Sequence, residues 1–219
     1  SSDLYFCCFP LTEARRLALH RGMAAVARGL LRLLPRVRIE KLNPHGENFA
    51  EPAVIVLNHR SHLDLLCALA LTPRLVMLTK RWVWRNPLYA LVLRYAEYLP
   101  TTRDFEENFA RIEDVVRRGY SVLIFPEGTR SCTERTGRFH QGAFVLARRL
   151  GVDVIPVVLH GTSQVLHRRA HVLSPGRIVV EIGARIAPGT PLWRDDSLDM
   201  ARRVRRYFEE RYEALSDHR

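Results

Sequence analysis

The sequence predicts an α/β fold: a single domain with a mostly buried mixed sheet flanked by helices, preceded by a basic amphipathic N-terminal helix. Three observations carry this expectation. Short runs such as Ala53 to Leu57 are apolar throughout and bounded by turn residues, as strands buried on both faces are. Between them lie segments whose apolar residues recur at helical spacing, so strand and helix patterns alternate along the chain. The 219 residues, 47% hydrophobic and 26% charged, suffice for one core and show no repeat, low-complexity tract or long linker.

From Glu13 to Leu34 the apolar residues Leu17, Met23, Val26, Leu30, Leu31 and Leu34 recur between Arg15, Arg16, Arg21, Arg28 and Arg32. Such a helix either packs on the domain with its arginines in solvent or lies on anionic lipid. Residues 1–39 are therefore expected to form an amphipathic, membrane-associating segment, and residues 40–219 the domain itself. After the turn signal Asn43-Pro44-His45-Gly46, strands are expected at Ala53–Leu57, Leu75–Thr79, Ser121–Phe125, Val154–Leu159 and Ile178–Ile182. Helices are expected at Leu63–Leu71, Pro87–Tyr95, Phe105–Arg118, Gly142–Leu150 and Leu198–Leu215.

The 34 Lys and Arg against 23 Asp and Glu leave a net charge of +11, which favours an anionic partner. Nucleic acid is the weaker candidate. Its binders interleave aromatic residues with the basic face, whereas Trp82 and Trp84 stand beside an apolar helix better suited to lipid. The four cysteines, Cys7, Cys8, Cys67 and Cys132, show neither CxxC pairing nor metal-ligand spacing, so reduced thiols in a cytoplasmic compartment are expected, with no metal site. No apolar stretch reaches the ~18 residues of a spanning helix, which points to a peripheral protein on the cytoplasmic face of a membrane. The apolar opening Leu4-Tyr5-Phe6-Cys7-Cys8-Phe9 equally fits a piece of a longer membrane-attached protein.

Two polar segments each follow a strand pattern, the position at which α/β folds present functional groups. The first is Asn58-His59-Arg60-Ser61-His62-Leu63-Asp64; the second is Phe125-Pro126-Glu127-Gly128-Thr129-Arg130-Ser131. Taken singly, His59 reads equally as a turn histidine, Asp64 as a first-turn charge, and the second segment as an ordinary glycine turn. A turn by itself does not call for Glu127, Thr129 and Arg130 together.

NHRSHLD and FPEGTRS, in this order and at this separation, resemble the HxxxxD and glutamate motifs of the glycerolipid acyltransferases typified by lysophosphatidate acyltransferase. The resemblance extends from about Val54 to His160. It takes in Leu99-Pro100-Thr101-Thr102-Arg103, where members carry a phosphate-binding arginine, the apolar Val154-Ile155-Pro156-Val157, and the stretch from Gly137 to Ala143. The chain departs from the family at Pro100, Thr101 and Thr102 and at Trp82-Val83-Trp84-Arg85-Asn86-Pro87. Bacterial relatives with a similar tryptophan stretch acylate less usual lipids.

The resemblance implies an O-acyltransferase of phospholipid biosynthesis, with no bound cofactor. It would move a fatty acyl group from acyl-CoA or acyl carrier protein to a hydroxyl of a lysophosphatidate-like acceptor at an anionic membrane surface. Glycerol 3-phosphate, an amino-acid lipid or a glycolipid are alternative acceptors; the rival of another class is a non-enzymatic domain that binds anionic membrane. His59 is the expected base and Asp64 its partner. Arg103, Arg130, Gly128 and Thr129 are expected to bind the acceptor's phosphate, assisted by Lys80, with Glu127 in a binding and positioning role; Asn58, Ser61 and Pro126 support the motifs. Five residues on a regular helix would set His59 and Asp64 about 140° apart, so His59 has to lie in the turn before the helix that bears Asp64. The helix around Leu88, Leu91, Val92 and Leu93 reads as an acyl-pocket wall or as plain core.

Overall fold

The structure is a computed structural model that describes residues 12–101, 105–130, 136–167, 172–194 and 196–217. Its elements in chain order are α1 (Glu13–Arg32), β1 (Val37–Leu42), β2 (Ala53–Leu57), α2 (Leu63–Leu71), β3 (Leu75–Lys80) and a 3-10 turn (Arg81–Arg85). There follow α3 (Pro87–Tyr95), β4 (Leu99–Thr101), α4 (Phe105–Arg117), β5 (Ser121–Ile124), α5 (Gly142–Leu150) and β6 (Asp153–His160). The chain continues through α6 (Thr162–Val165), β7 (Gly176–Ile182), α7 (Pro191–Arg194) and α8 (Ser197–Asp217).

The seven strands form one sheet in the order β1-β7-β6-β2-β5-β3-β4. Strands β6, β2, β5, β3 and β4 run parallel; β7 pairs antiparallel with β6, and β1 runs parallel to β7. The sheet is thus mixed, as expected. Its centre is β2, whose five residues Ala-Val-Ile-Val-Leu are all buried because helices cover both faces. Side chains alternate across the strand: Ile55 and Leu57 join Leu31, Leu63 and Ala68 on the α1–α2 side. Val54 and Val56 join Phe144, Met200, Val204 and Phe208 on the α5–α8 side.

Two strands lie outside the expectations, and both are edges. In β1 the charged Arg38, Glu40 and Lys41 break up the apolar run that would mark a strand, and β4 contains Pro100. Charge and proline belong on sheet edges, where the exposed ladder must not recruit another strand. Residues 37–39 therefore pair with β7 as part of the sheet.

Helix α1 ends at Arg32, before Pro35, and packs against α2. Its buried face is His20, Ala24, Ala27 and Leu31, with small residues permitting close approach, while Val26, Leu30 and Leu33 remain exposed. Its N-terminal turn is tied down as well: Tyr120 Oη donates to Glu13 at 2.6 Å, and Arg118 bridges Glu13 and Glu97. Leu93 of α3 is buried while Leu91 and Val92 are exposed; the side chains of Trp82 and Leu88 lie outside the described residues.

Candidate active site

Adjacent parallel strands β2 and β5 end side by side, with Val56 opposite Ile124, and each gives way to one of the two polar segments. Functional groups at the carboxyl edge of a parallel sheet are thereby brought together from residues 68 positions apart.

The loop after β2 alternates between burial and exposure. Asn58 is pinned to β6 by two hydrogen bonds, from its Nδ2 to the Leu159 carbonyl (2.8 Å) and from the Leu159 N–H to its Oδ1 (2.7 Å). Ser61 Oγ donates to the Leu166 carbonyl at 2.8 Å. With Asn58 and Ser61 facing inward, His59 and His62 are presented at the sheet edge. His59 precedes α2 and Asp64 lies in its first turn, as the spacing requires.

Asp64 is fully buried. Its Oδ2 accepts from His59 Nδ1 (2.9 Å), the Arg60 N–H (2.5 Å) and the Ser61 N–H (2.7 Å). These donors compensate the charge that burial would otherwise penalise. Because a carboxylate only accepts, the His59 proton sits on Nδ1 and the lone pair on Nε2. The His59 ring, 17% exposed, stacks on Phe125 with centroids 4.2 Å apart.

The second segment turns tightly after β5: the Gly128 N–H donates to the Phe125 carbonyl at 3.0 Å, and Gly128 takes φ +67°, where a side chain would be strained. Buried Pro126 accepts the His140 N–H through its carbonyl at 2.8 Å. Glu127, also buried, reaches back: its Oε1 accepts the His59 N–H and its Oε2 the Gly137 N–H, each at 3.0 Å. Arg130 Nη1 donates to His62 Nε2 at 2.6 Å. Burial first, then the positive charge of Arg130, holds the His62 pKa below its usual value, so the imidazole stays a neutral acceptor.

The structure thus gathers Asn58, His59, Ser61, Asp64, Pro126, Glu127, Gly128, Thr129 and Arg130 at one edge. Lys80 is exposed at the end of β3, beside Thr101 of β4. Arg103 lies outside the described residues. Sequence reasoning missed three participants: His62, the Phe125 ring and the Gly137 N–H. Each carried a signal of position: His62 stands in the first segment, Phe125 opens the second, and Gly137 opens the stretch that extends the resemblance. Among the described residues there is no group of three His, Cys, Asp or Glu placed to hold a metal ion.

Comparison with known proteins places these segments in context. A 1-acyl-sn-glycerol-3-phosphate acyltransferase of Arabidopsis thaliana chloroplasts, LPAT1, is 34% identical over 134 residues, covering 58% of this chain and 38% of that protein. The human 1-acyl-sn-glycerol-3-phosphate acyltransferase beta is 28% identical over 152 residues, covering 67% of this chain and 55% of that one. The chain therefore spans well under half the length of the plant relative. Its fold matches the crystal structure of the 1-acyl-sn-glycerophosphate (LPA) acyltransferase PlsC from Thermotoga maritima, with a TM-score of 0.75 and 19% identity over 97% of this chain and 86% of that one. The profile of the Acyltransferase family matches residues 36–160, a span that holds both polar segments and the strands that bring them together, and the chain belongs to that family.

Proposed function

We propose that the chain transfers a fatty acyl group from a thioester of coenzyme A or acyl carrier protein to the free hydroxyl of a lysophosphatidate-like acceptor. The observation that carries this reading is the His59–Asp64 pair: an imidazole with Nε2 as its basic nitrogen, held by a buried carboxylate at 2.9 Å. A neutral alcohol is a poor nucleophile at neutral pH, so a positioned base is what the reaction requires. His59 Nε2 takes the hydroxyl proton as the oxygen attacks the thioester carbonyl carbon. The C–O bond forms, the C–S bond breaks, and the imidazolium returns the proton to the departing thiolate. Asp64 stabilises the imidazolium between these steps. Arg130, with the Gly128-Thr129 backbone, Lys80 and Arg103, receives the acceptor's phosphate; Glu127 positions the loop.

In this reading the acyltransferase domain takes in β1, whose residues 37–39 pair with β7, and the arginine-rich α1 ahead of it holds the domain on the cytoplasmic face of an anionic membrane. The exposed Val26, Leu30 and Leu33 on an arginine-rich helix support that attachment. Among the described residues no helix is long and apolar enough to cross a membrane. The deciding experiment offers both thioester donors with a panel of acceptors (lysophosphatidate, glycerol 3-phosphate, lyso-amino-acid lipid, glycolipid) and reads products by mass spectrometry. Acyl transfer to lysophosphatidate is expected, lowered at least ~100-fold by His59→Ala in a protein that remains folded. Undiminished turnover in His59→Ala would sink the mechanism, and a preference for another acceptor would reassign the substrate.

A further inference from the structure

Arg60 stands in the middle of the NHRSHLD segment, yet the proposed chemistry gives it no role. It is 2% exposed, and none of its three guanidinium nitrogens has a hydrogen-bond partner among the described residues. A cation removed from water in this way needs another source of stabilisation. The guanidinium carbon lies 3.8 Å from the centroid of the Tyr212 ring, so the planar cation rests on the negative face of an aromatic system.

Tyr212 belongs to α8, more than fifty residues beyond the segment that the family profile matches. Its surroundings make it a firm platform. Arg211 next to it forms a two-pronged ion pair with the buried Glu181 of β7, at 2.6 and 2.9 Å. The ring also packs against His160 at the end of β6, with centroids 4.6 Å apart, and His160 Nε2 lies 2.9 Å from Ser216 Oγ one turn along the helix.

We infer that Tyr212 is a positioning residue for His59: its ring, by stacking under Arg60, clamps the His59 loop to the C-terminal helix. This rests on the acyl-transfer reading above. The backbone of Arg60 donates to Asp64, the carboxylate that orients His59, and its side chain is held by Tyr212. Asn58 and Ser61 fix the loop to β6 and to Leu166 by hydrogen bonds and Glu127 holds the His59 N–H, while the Arg60 side chain adds the contact that ties the same stretch to α8. Arginine suits this place better than lysine because its flat, weakly hydrated cation tolerates burial against a ring. Displacement of a reacting group by about an ångström costs on the order of 100-fold in rate, so a lost clamp is visible in turnover.

The experiment compares the parent with Tyr212→Leu, Tyr212→Phe and His59→Ala. In Tyr212→Leu, kcat per folded molecule should fall about 10- to 100-fold while the acceptor KM moves less than about twofold. Tyr212→Phe keeps the ring and should recover kcat to within about twofold. In the His59→Ala background, Tyr212→Leu should cost nothing further, because the clamp acts through His59. A second readout needs no substrate: the proton NMR signal of the ring N–H shared by His59 and Asp64 should persist in Tyr212→Phe and broaden or vanish in folded Tyr212→Leu. A residue that only stabilises the fold would lower the urea midpoint and leave both kcat per folded molecule and this signal unchanged, and that result overturns the inference. If the parent transfers no acyl group, the reading of the activity fails and the NMR comparison still decides whether Tyr212 positions His59.

Discussion

Glu127 Oε1 accepts the backbone N–H of His59 at 3.0 Å, so the buried carboxylate of the second segment holds the main chain of the first. The two motifs are therefore one mechanical unit, joined again by the stacking of His59 on Phe125. A carboxylate suits the bridge because it accepts two N–H donors at once and donates to neither.

This arrangement sets the expected result for Glu127→Gln. The amide offers one acceptor oxygen and turns an N–H toward either His59 or Gly137, so one charge-assisted bond of roughly 1.5–3 kcal/mol is lost. Turnover should drop about 10- to 100-fold with every acceptor, with or without phosphate, and the acceptor KM should change less. Steady-state kinetics with paired acceptors distinguishes this from direct substrate binding, in which KM would rise alone.

Arg130→Ala should behave in the opposite way. Loss of a charge-assisted phosphate contact of about 2 kcal/mol corresponds to roughly a 30-fold rise in KM for lysophosphatidate. The rise should be much smaller for a phosphate-free acceptor. An equal loss with both acceptors would assign Arg130 to holding His62 rather than substrate.

His20 makes the seat of α1 sensitive to acid. The imidazole is buried, its Nε2–H donates to the Ala96 carbonyl at 3.1 Å, and the rings of Tyr98 and Tyr120 lie 6.1 and 5.2 Å away. Burial holds its pKa below the ordinary 6.5, so as pH falls the unfolded chain takes up the proton first. The stabilisation is therefore complete above pH 6.5 and is lost progressively as pH falls toward the depressed value. Relative to His20→Gln, which does not titrate, the parent should lose up to about 1.4 kcal/mol per pH unit in that window. Urea unfolding at about pH 7.5 and about pH 5.5 checks the difference in slope.

For α1 the structure separates two roles that a truncation would confuse. Removing the helix would uncover Leu63, Ala68 and their neighbours and leave little folded protein. Replacing the exposed Val26, Leu30 and Leu33 by serine should change the unfolding free energy from urea titration by less than about 0.5 kcal/mol. The same triple variant should weaken flotation with anionic vesicles by roughly tenfold or more, and added salt should release the parent as well. Unchanged flotation of the triple variant would move the anchor elsewhere, with Leu91 and Val92 of α3 the next candidates.

The local code of this chain was readable without coordinates wherever one interaction dominates. An unbroken run such as Ala53–Leu57 can only be satisfied between two covered faces, and the helical periods of α2, α3 and α5 match the observed bounds. His59 and Asp64 were legible as a pair because NHRSHLD stands with FPEGTRS in an order that resembles the acyltransferase motifs; the five-residue offset by itself left a turn histidine and a first-turn charge equally open. Tertiary structure alone decided the edge strands β1 and β4, whose charges and proline hide the strand pattern until neighbours supply the ladder. It likewise decided which face of α1 is buried: Ala24 and Ala27 beat larger side chains because they let α1 come close to α2. The reach of Glu127 to His59 and of Arg60 to Tyr212 depends on strand order and on where α8 lands. Contacts across such long separations arise from packing of the whole sheet, and no local spacing encodes them.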